Sequence, residues 1–224
     1  MTEHSDNENV AQARVLIAVD GPGASGKGTI ARALANHFKL PHMDTGLLYR
    51  AVALNLWRWG GDLSSEFEAL RACDVAAVDP QDPELRSEPI SSIASRVSAY
   101  PSVRAALLDR QREFAGQPGG AVLDGRDIGT VVAPDADAKL FVTASAEVRA
   151  QRRVRELLER GLPAHFDDVL TDIRARDARD STREAAPLRQ ANDADLLDTT
   201  DLDVEQAIAA AIRLVEQRLA RVKP

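Results

Sequence analysis

Between residues 21 and 29 the chain reads Gly21-Pro22-Gly23-Ala24-Ser25-Gly26-Lys27-Gly28-Thr29, four glycines and one lysine in nine positions. Glycines let successive backbone N–H groups point into one concavity, and a helix starting there adds partial positive charge. The spacing is G-x-x-x-x-G-K, a loop that wraps a nucleoside triphosphate, with Lys27 on its β and γ oxygens. One position departs from the consensus: Gly28 stands where a magnesium-binding Ser or Thr is usual, and the hydroxyl comes one residue later, at Thr29. Asp124, closing the apolar run Ala121-Val122-Leu123, is the carboxylate that could share a metal with Thr29, or it simply caps the loop that follows.

A second group is cationic. Arginine accounts for 24 of the 28 basic residues, and ten of them fall between Arg149 and Arg189. The planar guanidinium fork suits phosphates and carboxylates, whereas a coding bias with arginines on solvated helix faces is the plain alternative. Arg176, Asp180 and Arg183 stand at i, i+4 and i+7, one face of a helix, so they can enter a cleft together or form surface ion pairs.

The elements that must position these residues follow from the apolar pattern. Residues 15–19 (VLIAV) read as a buried strand that ends at Asp20 and runs into the glycine loop. Ile30, Leu34 and Phe38 then recur at helical spacing. Further strands are expected at residues 41–44, 121–124, 139–143 and 196–198. Helices are expected over 46–59, 64–73 (capped by Ser64), 90–100, 103–114, 145–160, 167–180 and 204–222, with Pro101 as a break and 78–88 as a loop. Apolar strands alternating with helices make an α/β fold, a five-stranded and mainly parallel sheet flanked by helices. Ligands in such sheets bind beyond the carboxyl ends of the strands.

Composition bounds the rest. The 224 residues are 44% hydrophobic and 28% charged, with a net charge of −7, typical of a compact globular chain. The acidic balance argues against DNA or RNA partners, which need clustered cations. No apolar run is long enough for a membrane span and the polar first 13 residues resemble no leader, so a reducing cytoplasm is the expected compartment. Cys73 alone makes no disulfide and reads as an inert core residue, and four histidines form no metal-spaced cluster. Trp57 and Trp59 read as packing or rim residues, His165 as a loop residue.

Four blocks carry a family resemblance: DGPGASGKGT (20–29), MDTGLLYRAVAL (43–54), ASRVSAYPSVRAALLDRQREF (94–114) with LDGRDIGTVVAPDADAKLF (123–141), and RDARDSTREAAPL (176–188). In this order they resemble the bacterial cytidylate kinases, P-loop nucleoside monophosphate kinases. The resemblance implies ATP-dependent phosphorylation of CMP and dCMP with Mg2+; a monomer is the default expectation. It also implies a core (14–44, 119–145, 190–224), a monophosphate-binding lobe (45–118) and an Arg-rich lid (146–189), while the polar composition of residues 1–13 reads as a disordered tail. Ser95, Arg104 and Asp127 match the cytosine-reading residues, Arg176 and Asp180 the sugar contacts. Thr45, Arg50, Arg126 and Arg183 match the grip on the acceptor phosphate, and Arg152 and Arg153 the lid over the ATP phosphates. Thr45 replaces a serine of some members, and residues 74–84 are shorter than the strand-containing insertion of many.

The chemistry of cytosine agrees. Its exposed edge offers an amino donor and two acceptors, so an acceptor such as Asp127 or Ser95 beside a donor such as Arg104 would read it. Uracil would set a carbonyl against the Asp127 carboxylate. The competing readings are another small-acceptor P-loop kinase (for UMP, AMP, thymidylate or shikimate) and a nucleotide-dependent switch or assembly factor.

Overall fold

The computed structural model describes residues 14–222, so the expected tail, residues 1–13, lies outside it. Strands β1 (Val15–Asp20), β2 (His42–Asp44), β3 (Gly120–Gly125), β4 (Ala138–Thr143) and β5 (Asp195–Asp198) form one sheet. Its order is β2-β3-β1-β4-β5 and every pairing is parallel. The apolar run ahead of the glycine loop is therefore the central strand, and the loop leaves its carboxyl end where the chain connections diverge to the two sides.

The described residues hold eight α-helices: α1 (Lys27–Phe38), α2 (Thr45–Trp59), α3 (Glu66–Arg71), α4 (Glu88–Val97), α5 (Pro101–Ala115), α6 (Ala146–Glu159), α7 (Phe166–Thr182) and α8 (Val204–Val222). On one face of the sheet Ile17, Val19, Leu140 and Val142 pack against Ile30 and Leu34 of α1 and Ala211 and Val215 of α8. On the other, Leu16, Ala18 and Leu123 meet Ala115, Ile128 and Val132. A third core, built from Val52, Leu54, Leu56, Ile90, Ile93, Val97, Val103 and Leu107, belongs to α2, α4 and α5. Helices α6 and α7 pack chiefly against each other.

Local details depart from the sequence reading for identifiable reasons. Ser65, not Ser64, caps α3 by accepting the Glu68 N–H, because Ser64 is held in a turn by Asp62. Pro101 does not interrupt a helix but begins α5, where its fixed φ and missing N–H cost nothing. Ser87 caps α4, which starts at Glu88, two residues before the expected start, with Pro89 in the first turn. The expected loop at 78–88 holds a 3₁₀ turn, Pro83–Arg86. A π-helical turn, Ile128–Val132, has no signal in the periodicity. Helix α7 stops at Thr182 and Arg183 is extended, so the trio at 176, 180 and 183 does not share one helix. Cys73 is half-buried rather than core, its thiol pushed up to about 11 by burial. Trp57 and Trp59 are exposed at the end of α2. No helix among the described residues is long and apolar enough to cross a membrane.

Candidate functional site

The glycine loop is shaped by two glycines and held by distant arginines. A Cβ on Gly21, at φ +154°, would sit 2.0 Å from the Val142 carbonyl oxygen, so β4 passes too close for any other residue. Gly26, at φ +88°, precedes α1 and makes Lys27 its first residue. Loop carbonyls are tied away: Gly23 O accepts from Arg149 (3.2 Å), and Ser25 O from Thr199 Oγ1 (3.2 Å) and Arg152 (3.5 Å). That leaves N–H groups for an anion. Arg149, buried and paired twice with Asp177 at 3.0 and 2.6 Å, anchors the loop to both α6 and α7. Arg149 and Thr199 lie in no motif of the sequence, and Asp177, although inside the 176–188 block, was not singled out there.

Lys27 opens α1 with Nζ 3.5 Å from the Pro22 carbonyl. Burial, with Arg126 nearby, lowers its ammonium to about 7, although Asp124 and Asp44 pull the other way. Asp124 is buried, its Oδ1 is 2.7 Å from His42 Nε2, and its Oδ2 faces Gly28, where a Cβ would lie 3.7 Å away. Thr29 is exposed, with its hydroxyl 3.4 Å from Arg32. A carboxylate and a hydroxyl beside a phosphate loop are a hard-oxygen donor set that fits Mg2+, which keeps its waters and phosphate oxygens as other ligands. Glycine at position 28 leaves Asp124 open to the loop.

Across the mouth of the loop lies a pocket of about 40 Å³ lined by Thr45, Tyr49, Arg50, Arg104, Arg126, Asp127, Arg176, Asp180 and Arg183. Residues from four separate blocks of sequence thus meet at one place. Asp127 is buried, bonded to Arg104 through Oδ2, and its Oδ1 is 3.8 Å from Arg183 Nη2. Tyr49 lies under the Arg104 guanidinium at 5.5 Å and fixes its plane. Asp180 accepts from Arg126 Nε at 2.9 Å and lies 3.9 Å from Arg176 Nε. Burial would raise the Asp180 carboxyl, but Arg126 and Arg176 outweigh it and hold it below its usual range. Burial and Arg126 together lower Arg176 to about 9. Arg176 Nε and Arg183 Nη2 are buried and make no hydrogen bond, the nearest carboxylates standing off at 3.9 and 3.8 Å. Gly23 brings the loop to this pocket: a Cβ there would be 3.6 Å from Arg126 Nη2 and 3.7 Å from Arg176 Cδ.

Four expected residues stand elsewhere or are otherwise engaged. Ser95 is buried outside the small pocket and accepts from Arg179 at 3.3 Å, which ties α4 to α7, while Ser98 lines the pocket beside Arg104. Thr45, at the start of α2, lines the pocket but donates its hydroxyl to the Asp124 carbonyl at 2.8 Å. Arg152 bonds Thr199 O (2.6 Å) and Oγ1 (2.9 Å). It borders a separate cleft of about 510 Å³ with Arg155, Leu202 and Val204. Arg153 pairs with Glu156 at 2.6 Å and with Glu88 of α4. Both arginines border the loop, and a cleft of about 360 Å³ joins Lys27 to Arg50, Arg126, Arg153 and Arg176.

The family model described as cytidylate kinase matches residues 17–217. A cytidylate kinase of Xanthobacter autotrophicus is 59% identical over 208 residues, covering 92% of this chain and 99% of its own. One from Methylocella silvestris is 59% identical over 203 residues, covering 90% and 94%. An uncharacterized protein from Eubacterium ventriosum shares the fold at 14% identity and a TM-score of 0.56, over 91% of this chain and 99% of that one. Loop, lysine and arginine pocket all lie inside the matched span, and the chain belongs to the cytidylate kinase family.

Proposed function

We propose that this kinase transfers the γ-phosphoryl group of ATP to CMP or dCMP, giving ADP and CDP or dCDP. The observation that carries the reading is the pocket in which Arg104 and Asp127 meet beside Arg126, Arg176 and Arg183, facing Lys27 across the loop. A base needs the neutral-edge readers, a monophosphate needs the cations, and the two sets adjoin.

In this reading the 21–29 loop cradles the donor phosphates and the cleft beside Arg152 takes the donor nucleoside. Residues 45–118, which have a core of their own, form the acceptor lobe, and 146–189 form the lid on the core of 14–44, 119–145 and 190–224. Arg104 and Asp127 read the cytosine, with Ser95 joining once Arg179 releases it. Asp180 and Arg176 meet the sugar. Arg50, Arg126, Arg183 and the start of α2 grip the acceptor phosphate. Phosphoryl transfer through a loose transition state needs alignment and charge neutralisation more than covalent help. Lys27, Arg126 and Arg183 are preorganised cations for that task, and Arg152 and Arg153 complete the shield when the Glu88 pair opens. Mg2+, held by Asp124 and Thr29, would neutralise charge between the donor phosphates.

The deciding experiment is ADP formation from ATP and magnesium with CMP, dCMP, UMP, AMP and GMP supplied separately and a control with none. Turnover concentrated on CMP and dCMP is expected. A different preferred acceptor would discard the base-reading roles of Arg104 and Asp127. Hydrolysis indifferent to any acceptor would point to a nucleotide switch.

Lys27 adds a proton signature. With its ammonium lowered to about 7, a large share is neutral at pH 8, and an incoming polyphosphate restores the charge. ATP binding at pH 8 is expected to take up a proton, and at pH 6 hardly any. Calorimetry in two buffers of different ionisation enthalpy measures this. Equal heats in both buffers at pH 8 would mean that Lys27 is already charged.

A further inference from the structure

We propose that Asp20 is a positioning residue for cytosine recognition, holding Asp127 in place by clamping the two backbone N–H groups that follow it. The inference rests on the base-reading assignment of Asp127 above.

Asp20 ends β1, is 5% exposed, and lines none of the three clefts. Its Oδ1 accepts the Ile128 N–H at 2.8 Å and its Oδ2 the Gly129 N–H at 2.7 Å. Each oxygen holds one residue, a two-point clamp across more than a hundred positions of sequence. Ile128 and Gly129 start the π-helical turn, whose later N–H groups at Val131 and Val132 bond back to the Asp127 carbonyl. The first N–H groups of any helical turn have no partner within it, and buried ones need an acceptor from elsewhere. Asp20 is that acceptor. Asp127 itself, at φ −146° and ψ 26°, lies outside regular structure, so its direction depends on the turn it introduces.

The packing leaves the clamp little slack. A Cβ on Gly129 would lie 3.4 Å from Asp20 Oδ2 and 3.1 Å from Lys139 Cδ. Lys139 secures the far end of the same segment, donating to the Pro134 carbonyl at 2.6 Å and pairing with Asp193 at 2.7 Å. The turn is thus fastened at its start by Asp20 and just beyond its end by Lys139. Burial pushes the Asp20 carboxyl up to about 7, and the N–H groups of Gly129 and Ile128 pull it back toward its ordinary range.

Asp20→Asn tests this. Asparagine keeps the shape and one acceptor but turns an NH2 group toward the second backbone N–H. Loss of one buried bond of this kind is expected to lower the ratio of kcat/KM for CMP over UMP about tenfold, chiefly through KM for the acceptor. KM for ATP should move far less, although Asp20 adjoins the phosphate loop. In an Asp127→Ala background the same substitution should leave the ratio unchanged, since the group it positions is gone. An unchanged ratio in Asp20→Asn, with Asp127→Ala lowering it, would overturn the inference and spare the base-reading assignment. A rise confined to KM for ATP would do the same by assigning Asp20 to the donor loop. Should Asp127→Ala leave the ratio untouched, the base-reading assignment itself falls. If thermal melting shows Asp20→Asn unfolded, Gly129→Ala presses on the same backbone from the Lys139 side, with the same expected ratio and the same overturning result.

Discussion

Lys27→Met is expected to lower kcat by about 10²–10³, with a much smaller change in KM for the acceptor. Methionine preserves the length and apolar stem of the side chain and removes only the charge. Nζ lies at the loop mouth, half-buried and close enough to Arg126 for that cation to lower its own ammonium. Such a group is weakly solvated before the reaction, so little reorganisation is needed when charge moves onto the bridging and γ oxygens. The interaction strengthens in the transition state, which is why the loss should fall on kcat. Lys27→Arg should not restore the rate, because a flat fork cannot take the place of a compact point charge at the first position of α1. Steady-state rates at saturating ATP and CMP make the measurement. A kcat within a few fold of the parent, with KM for ATP raised, would assign Lys27 to ground-state binding alone.

Asp127→Asn is expected to bring the CMP and UMP specificity constants close to one another. A carboxylate only accepts, which suits the amino group of cytosine and opposes the carbonyl of uracil. An amide can turn either edge to the base and so pair with both. Sites that hydrogen-bond a buried polar edge discriminate by as much as about 10⁴, and a change from acceptor to ambivalent partner should remove most of that. Asparagine is preferred to alanine as the primary test. Arg104 and Arg183 are both within reach of the carboxylate, and truncation would leave two buried cations without it. Breaking such a cluster typically costs about 3–5 kcal/mol, which would blur specificity with stability. The CMP to UMP ratio under matched conditions is the readout, with a melting curve for each variant. A ratio unchanged in Asp127→Asn would move base selection to Ser95 or to backbone groups.

Much of this architecture was legible in the chain. The run VLIAV has to be a strand buried on both faces, and the glycine loop that follows has to turn into a helix, because Gly21 and Gly26 occupy backbone conformations that other residues resist. The all-parallel sheet follows from alternation of short apolar strands with amphipathic helices. The family blocks located Arg50, Arg104, Arg126, Asp127, Arg176, Asp180 and Arg183, and these seven do line one pocket.

Spacing alone misplaced some of them in detail. Periodicity treats residues 176–183 as one helix, yet Arg183 reaches the pocket from an extended residue beyond its end. The resemblance assigns Arg152 and Arg153 to the lid over the ATP phosphates, and in this conformation Thr199 and Glu88, distant in sequence, hold them. A helical pattern records which face is apolar and carries no term for a partner fifty residues away.

The sequence by itself determined the phosphate loop and the strand and helix around it, local consequences of glycine and apolar spacing, and its resemblance to the family implied the residue types of the arginine pocket. The tertiary structure alone decided which carbonyls Arg149 ties back, that Ser95 faces Arg179, that Tyr49 lies beneath Arg104, and that Asp20 caps the turn behind Asp127. These are pairings between buried polar groups far apart in the chain. Their physical cause is the requirement that each find a partner once water is excluded, and only the packed fold says which partner is within reach.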